Sequence, residues 1–188
     1  MRRLEAGDTI IEVVLAFAIF SAAAMGTITL VNSGLSVTQR NLEVTLVRQQ
    51  IDTQAEQLRY LRDTGDPAWS AITNPAALVT SPLGLNESCR QASGIPLGFY
   101  IRPSIAADPT ATTFTRRAIT GATLVAPTTY AKIDYSAGAN ESQGIWIQAT
   151  RAQENGSVSA YDFYIHACWD SYGSEEPVTL GTIVRIYE

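Results

Sequence analysis

Histidine and lysine are almost missing from this chain: His166 and Lys132 are the only examples of each. The net charge is −5. Neutralising a phosphate backbone takes clustered lysine and arginine, so an acidic chain is a poor general nucleic-acid binder. Arg116-Arg117 is the only basic pair beyond the N-terminal region and reads as a solvated loop pair. No cluster of histidine, cysteine and acids has metal-ligand spacing. No serine sits in a nucleophile motif. His166 alone, on the polar side of a strand pattern, reads as a surface residue. No catalytic residue, metal ligand or cofactor is therefore assigned. Internal repeats are absent. Proline is absent before Pro67, so nothing interrupts a helix from Thr9 to about Arg62.

What the chain does have stands at its start. A short basic leader, Met1-Arg2-Arg3-Leu4-Glu5-Ala6, ends at Gly7. Asp8-Thr9-Ile10-Ile11-Glu12 follows, and an apolar run then extends to about Val31, broken only by Ser21, Thr27 and Thr29. Such a run is long enough to cross a bilayer core as a helix. Arg2 and Arg3 precede the span and Arg40 lies well past it, which favours a cytoplasmic leader and an external remainder. Glu12 is the anomaly. A carboxylate at the start of a membrane helix is costly and needs a partner or a functional reason. A place at headgroup level, favoured by the helix dipole, is the simpler alternative.

Leader, Gly7, the run Thr9-Ile10-Ile11-Glu12 and the span together resemble the class III signal of type IV prepilins. The resemblance covers roughly the first third of the chain. It implies cleavage by a prepilin peptidase after Gly7, Asp8 as the new N-terminus, and Glu12 as the fifth residue of the mature chain. In that family the fifth-residue glutamate pairs with a neighbouring subunit's N-terminal amine during assembly. Loss of the leader removes Arg2, Arg3 and Glu5 and makes the net charge one unit more negative. Asp8 departs from the family, which usually starts the mature chain with an apolar residue, and leaves N-methylation of the new amine open. The span also lacks the proline that many pilins carry. Gly26 and Asn32-Ser33-Gly34 are weak helix formers that could melt locally on assembly instead. A secretory signal cut in Ser21-Ala22-Ala23-Ala24-Met25-Gly26 is the competing reading, and it leaves Gly7 and Glu12 unexplained.

The second half of the predicted helix carries a stripe at helical spacing: Val44, Val47, Ile51, Ala55 and Leu58. One stripe is what a helix needs to pack on one head. Leu35, Leu42, Leu46 and Tyr60 form a sparser stripe on nearly the opposite side, a candidate contact with other subunits. Asp63-Thr64-Gly65-Asp66-Pro67 stops the helix. From 64 to about 127 prolines break the periodicity, leaving a predicted helical turn at 68–72 and a short strand at 97–102. Period-two patterning then gives strands over 130–135, 144–151, 158–169 and 178–187, with Asn155-Gly156 as a hairpin turn. The expected fold is α+β: a leader at 1–7, a long N-terminal helix over 8–63 with a membrane-spanning part at about 13–31, and a head over 64–188. The head would pack an antiparallel sheet, at about 130–187, on the helix stripe.

Cys89 and Cys168 are the only cysteines. In a head outside the membrane they are expected to form a disulfide, stabilising by about 4 kcal/mol through chain entropy. Two unpaired small hydrophobes is the alternative. Tyr100, Tyr130, Tyr161 and Tyr164 either pack on the sheet or form an adhesive patch. Asn86, Asn140 and Asn155 each begin a glycosylation triplet.

The resemblance implies a structural, non-enzymatic subunit of a type IV pilus or fimbrium, serving adhesion or motility. Its implied partners are copies of itself and other pilins in a helical filament, the prepilin peptidase, an inner-membrane assembly platform, and lipid before assembly. The implied location is first the membrane, as a single-pass protein, and then the cell surface. A pseudopilin of type II secretion or DNA uptake shares the same N-terminus. A monomeric binding module anchored by one helix is the contrasting class.

Overall fold

The computed structural model describes residues 8–84, 95–104, 113–119, 127–135, 142–154, 157–171, 174 and 176–188. The chain divides into two compact units, Met1–Asn41 and Leu42–Glu188. One helix, α1 (Asp8–Thr64), contributes to both.

In the first unit α1 has no sheltered side. Ile10, Val13, Leu15, Phe17, Phe20, Met25 and Leu30 are between 59% and 74% exposed. The helix runs unbroken through Gly26 and Asn32-Ser33-Gly34. Its threonines turn their hydroxyls back on the backbone: Thr27 donates to the Ala23 and Ala24 carbonyls, and Thr29 to Met25. Those bonds satisfy the polar groups inside the helix and leave an apolar cylinder. This helix is long and apolar enough to cross a membrane.

Among the described residues the second unit holds the rest of α1, α2 (Pro67–Thr73), a 3-10 turn at Pro75–Ala77 and seven strands: β1 (Phe99–Ser104), β2 (Thr113–Ala118), β3 (Lys132–Ile133), β4 (Ser142–Gln143), β5 (Ile145–Glu154), β6 (Ser157–Trp169) and β7 (Val178–Tyr187). Helix α1 ends at Gly65, whose φ of 64° suits glycine, with the Asp66 amide donating to the Leu61 carbonyl at 3.1 Å. Asp66 then caps α2 by accepting from the Ala68 amide, and Pro67 takes the first helical position, where a missing N–H costs nothing.

The main sheet has the order β2-β1-β5-β6-β7, all antiparallel. Ile145, Ile147 and Ala149 of β5 pair with Ala167, Ile165 and Phe163 of β6 and share one face. These residues are fully buried and form one core cluster with Val47, Ile51, Ala55, Leu58 and Leu61 of α1. The stripe read from the sequence is the core stripe, extended by Leu61, with Val44 packed at its margin. Of the sparser stripe, Leu35 and Leu42 are exposed, Leu46 is half-buried, and Tyr60, 44% exposed, lies edge-on to Phe114.

Three readings are corrected. The stretch predicted as a strand over 130–135 supplies only β3, which pairs with β4 in a separate two-stranded sheet. The main sheet also takes β1, which falls where a short strand was predicted over 97–102, and β2, from a stretch read as irregular. Arg116 and Arg117 thus lie on β2 rather than in a loop. His166 is also not a surface residue; it is 6% exposed.

Candidate functional site

Gly7 lies outside the described residues, and α1 begins at Asp8. Glu12 falls one turn into the helix and is exposed. It is the one charged residue from Thr9 to Gln39. Its neighbours Ile11, Val13 and Val14 are 63–68% exposed. A carboxylate ringed by uncovered aliphatic side chains makes an unusual surface. Placed in lipid or among other helices, a carboxyl group there calls for a cationic or hydrogen-bond-donating partner.

Among the described residues of the second unit, three polar places stand out. The first joins α1 to the end of β6. Glu43 is 5% exposed, and its Oε2 accepts from Trp169 Nε1 at 3.0 Å and from the Ser171 hydroxyl at 2.6 Å. The second is Gln54, fully buried at mid-helix. Its Oε1 accepts from the Ile101 amide at 2.8 Å, and its Nε2 donates to the Ile101 carbonyl at 2.9 Å. Strand β1 pairs with β5 only at Phe99↔Ile147. Beyond that point the side-chain amide takes the part of a strand neighbour. The sequence held a signal for it, since Gln54 interrupts the buried spacing 47, 51, 54, 58, 61. A glutamine in that row needs a buried partner.

The third place is the sheet face turned away from α1. Here His166 lies edge-on to Trp146 and Tyr164, with ring centroids 5.5 and 6.3 Å away. Neither His166 Nδ1 nor Trp146 Nε1 finds a hydrogen-bond partner among the described residues. With Pro82, Leu83, Gly84, Tyr164 and residues 181–183, His166 lines a cleft of about 500 Å³. Farther along the same face Arg185 grips Asp162 through two bonds of 2.6 and 2.7 Å, which holds the Asp162 carboxyl below its usual range.

Burial pushes the His166 imidazole below its ordinary pKa of 6.5. The unfolded chain therefore takes up the proton first as pH falls. Stability conferred by a neutral His166 is complete above pH 6.5 and is lost as pH drops from there toward the folded pKa. Because this is the only histidine, the urea midpoint of the full chain in detergent is expected to fall between pH 7.5 and 5.5. The slope is at most about 1.4 kcal/mol per pH unit. His166→Phe should flatten that slope; an unchanged slope in the variant refutes the assignment.

Arg116 has its guanidinium over the Phe99 ring, 4.9 Å from the centroid, and burial lowers its pKa. An arginine committed to a ring face is poorly placed to grip a phosphate. Cys168 is fully buried and disulfide-bonded, while Cys89 lies outside the described residues. Asn86, Asn140 and Asn155 also lie outside them. Among the described residues no group of three or more histidines, cysteines and acids could hold a metal ion.

These features define a class: an α+β protein with one long apolar N-terminal helix and an antiparallel sheet. Comparison with family models, with curated proteins and with solved structures finds no match to this chain.

Proposed function

We propose that this chain is a type IV pilin-like structural subunit, cut after Gly7 by a prepilin peptidase and polymerised through its N-terminal helix. The observation that carries this reading is the first half of α1. Past Asp8 it is apolar on every side, uncovered, and marked by a single carboxylate at Glu12. A lone membrane anchor accommodates that charge only at headgroup level, whereas an assembly that brings another chain's amine beside it gives it a partner. Before assembly the apolar cylinder lies in the membrane. In the filament the cylinders of neighbouring copies cover one another. Glu12 and Asp8 act in assembly, and the head has no chemical step to perform.

The test is N-terminal peptide mass spectrometry on envelope and sheared surface filaments from the native host. A peptide beginning at Asp8, recovered in the filament fraction, supports both processing and incorporation. An intact Met1 start, or a start beyond Ala24, turns the reading to a plain anchor or a secreted domain. Gly7→Ala keeps the hydrophobicity and should block most processing; normal cleavage of that variant defeats the prepilin reading.

A further inference from the structure

Leu97 is the one non-glycine residue with a positive φ, 54°, among the described residues. It belongs to the turn Ile95-Pro96-Leu97-Gly98, closed by the Gly98 amide donating to the Ile95 carbonyl at 3.1 Å. Proline followed by a left-handed residue is the pattern of a type II turn, and the left-handed place favours glycine or asparagine. A leucine there brings its Cβ against its own backbone.

The turn has no freedom to relax. Ile95 is 4% exposed. Gln148 Nε2 donates to the Pro96 carbonyl at 2.8 Å, and the Ile119 amide donates to the Gly98 carbonyl at 2.8 Å. A Cβ on Gly98 would stand 2.7 Å from Ile95 Cγ2. The surroundings thus impose the left-handed conformation on residue 97 whatever its side chain. Leucine offsets little of that strain in the core. It is 44% exposed and takes no part in the core cluster. Strain held at an exposed apolar tip points to a role outside the molecule.

We infer that Leu97 is a contact residue seated in a second copy of this chain, an inference that rests on the assembly reading above. The tip carries no charge, so a charged partner gains nothing from it. One leucine and one proline bury far less than the area that holds two freely diffusing proteins together. A tip this small matters where another contact already tethers the partner. Copies gathered by their apolar helices have that tether. The chain also offers a candidate hole: among the described residues, the lining of the cleft walled by Leu83, Tyr164 and Ile183 has no acid, lysine or arginine, and Leu97 is not part of it. A knob and a hole on different patches of one chain give a contact that repeats from copy to copy.

The experiment places a photo-crosslinking phenylalanine analogue at position 97 of the full chain in the native host and analyses sheared filaments. The expected product is a covalent dimer of this chain, joined within residues 82–84 or 164–183. A crosslink to another protein or to lipid, or none, overturns the inference. Leu97→Asn tolerates the backbone angle and removes the apolar side chain. It should raise the thermal midpoint of the full chain by about 3 °C, while filament recovery falls several-fold. If Leu97→Asn enters filaments as well as the parent chain does, the contact is refuted and the assembly reading stands. If the parent chain itself is missing from filaments, the assembly reading fails and this contact fails with it.

Discussion

Gln54→Ala is expected to destabilise the Leu42–Glu188 unit by about 3–5 kcal/mol, because it strips hydrogen bonds from two buried backbone groups and opens a cavity. The amide and carbonyl of Ile101 lie where β1 has separated from β5, and both are held by the Gln54 side chain. Each buried group left unpaired costs about 1–3 kcal/mol. A domain has only about 5–15 kcal/mol in total, so the variant is expected to lose roughly 10 °C of thermal midpoint. Two further variants locate the cause. Gln54→Leu fills the volume but supplies no hydrogen bond, so it should recover little. Gln54→Glu keeps the acceptor for the Ile101 amide and, when ionised, sets a second acceptor against the Ile101 carbonyl. It should be weak at pH 7.5 and partly restored near pH 5, where a protonated carboxyl can donate. Urea midpoints of the four chains at both pH values decide the matter. Equal stability of Gln54→Leu and the parent chain would show that the bonds contribute nothing net.

Why Gln54 was hard to read while its neighbours were plain is a matter of what periodicity reports. Val47, Ile51, Ala55 and Leu58 declared a buried face, because burial of apolar groups depends on spacing alone. The alternation of Tyr161, Phe163, Ile165, Ala167 and Trp169 declared β6 in the same way. Strand β2 gave no such signal: in the edge strand Thr113–Ala118 the half-buried residues Phe114, Thr115 and Arg116 are consecutive rather than alternating, and Arg116 is held there by lying over the Phe99 ring. The stretch at 130–135 gave a false one. Its alternation is real, with Ala131 and Ile133 buried, but it is spent on a two-residue ladder with β4. His166 was misplaced for a related reason. Its face of the sheet was taken as solvent, but chain from 78 to 84 returns there: Val79 donates to the Ala149 carbonyl, and Leu83 to Gln148 Oε1. A segment that covers a sheet by hydrogen bonds from irregular backbone leaves no period to read. The assembly features rest on sequence in a different sense. In the proposed reading Gly7 and Asp8 would act through recognition by another protein, which no fold of the chain itself expresses.

Glu12→Ala is expected to leave membrane insertion intact and to reduce filament incorporation by about two to four orders of magnitude, the scale of about 3–5 kcal/mol for breaking one buried ion pair. Insertion depends on the apolar run from Val13 onward, which the substitution makes slightly more apolar. Assembly depends on the carboxylate, if an amine from a neighbouring chain is to be buried without an unpaired charge. Glu12→Gln separates the two properties of the side chain. It keeps size and hydrogen bonding and removes charge, so it should assemble poorly if pairing is ionic and well if a hydrogen bond suffices. Glu12→Asp keeps the charge on a shorter arm and should fall between them. The measurement is the ratio of this chain in sheared filaments to that in the membrane fraction, with cleavage after Gly7 followed in the same samples. A monomeric anchored binding module predicts the opposite pattern: all four chains would be cut or uncut alike, and none would depend on residue 12. Full incorporation of Glu12→Ala would therefore remove the reason for a carboxylate in the apolar half of α1, and with it the strongest support for a filament subunit.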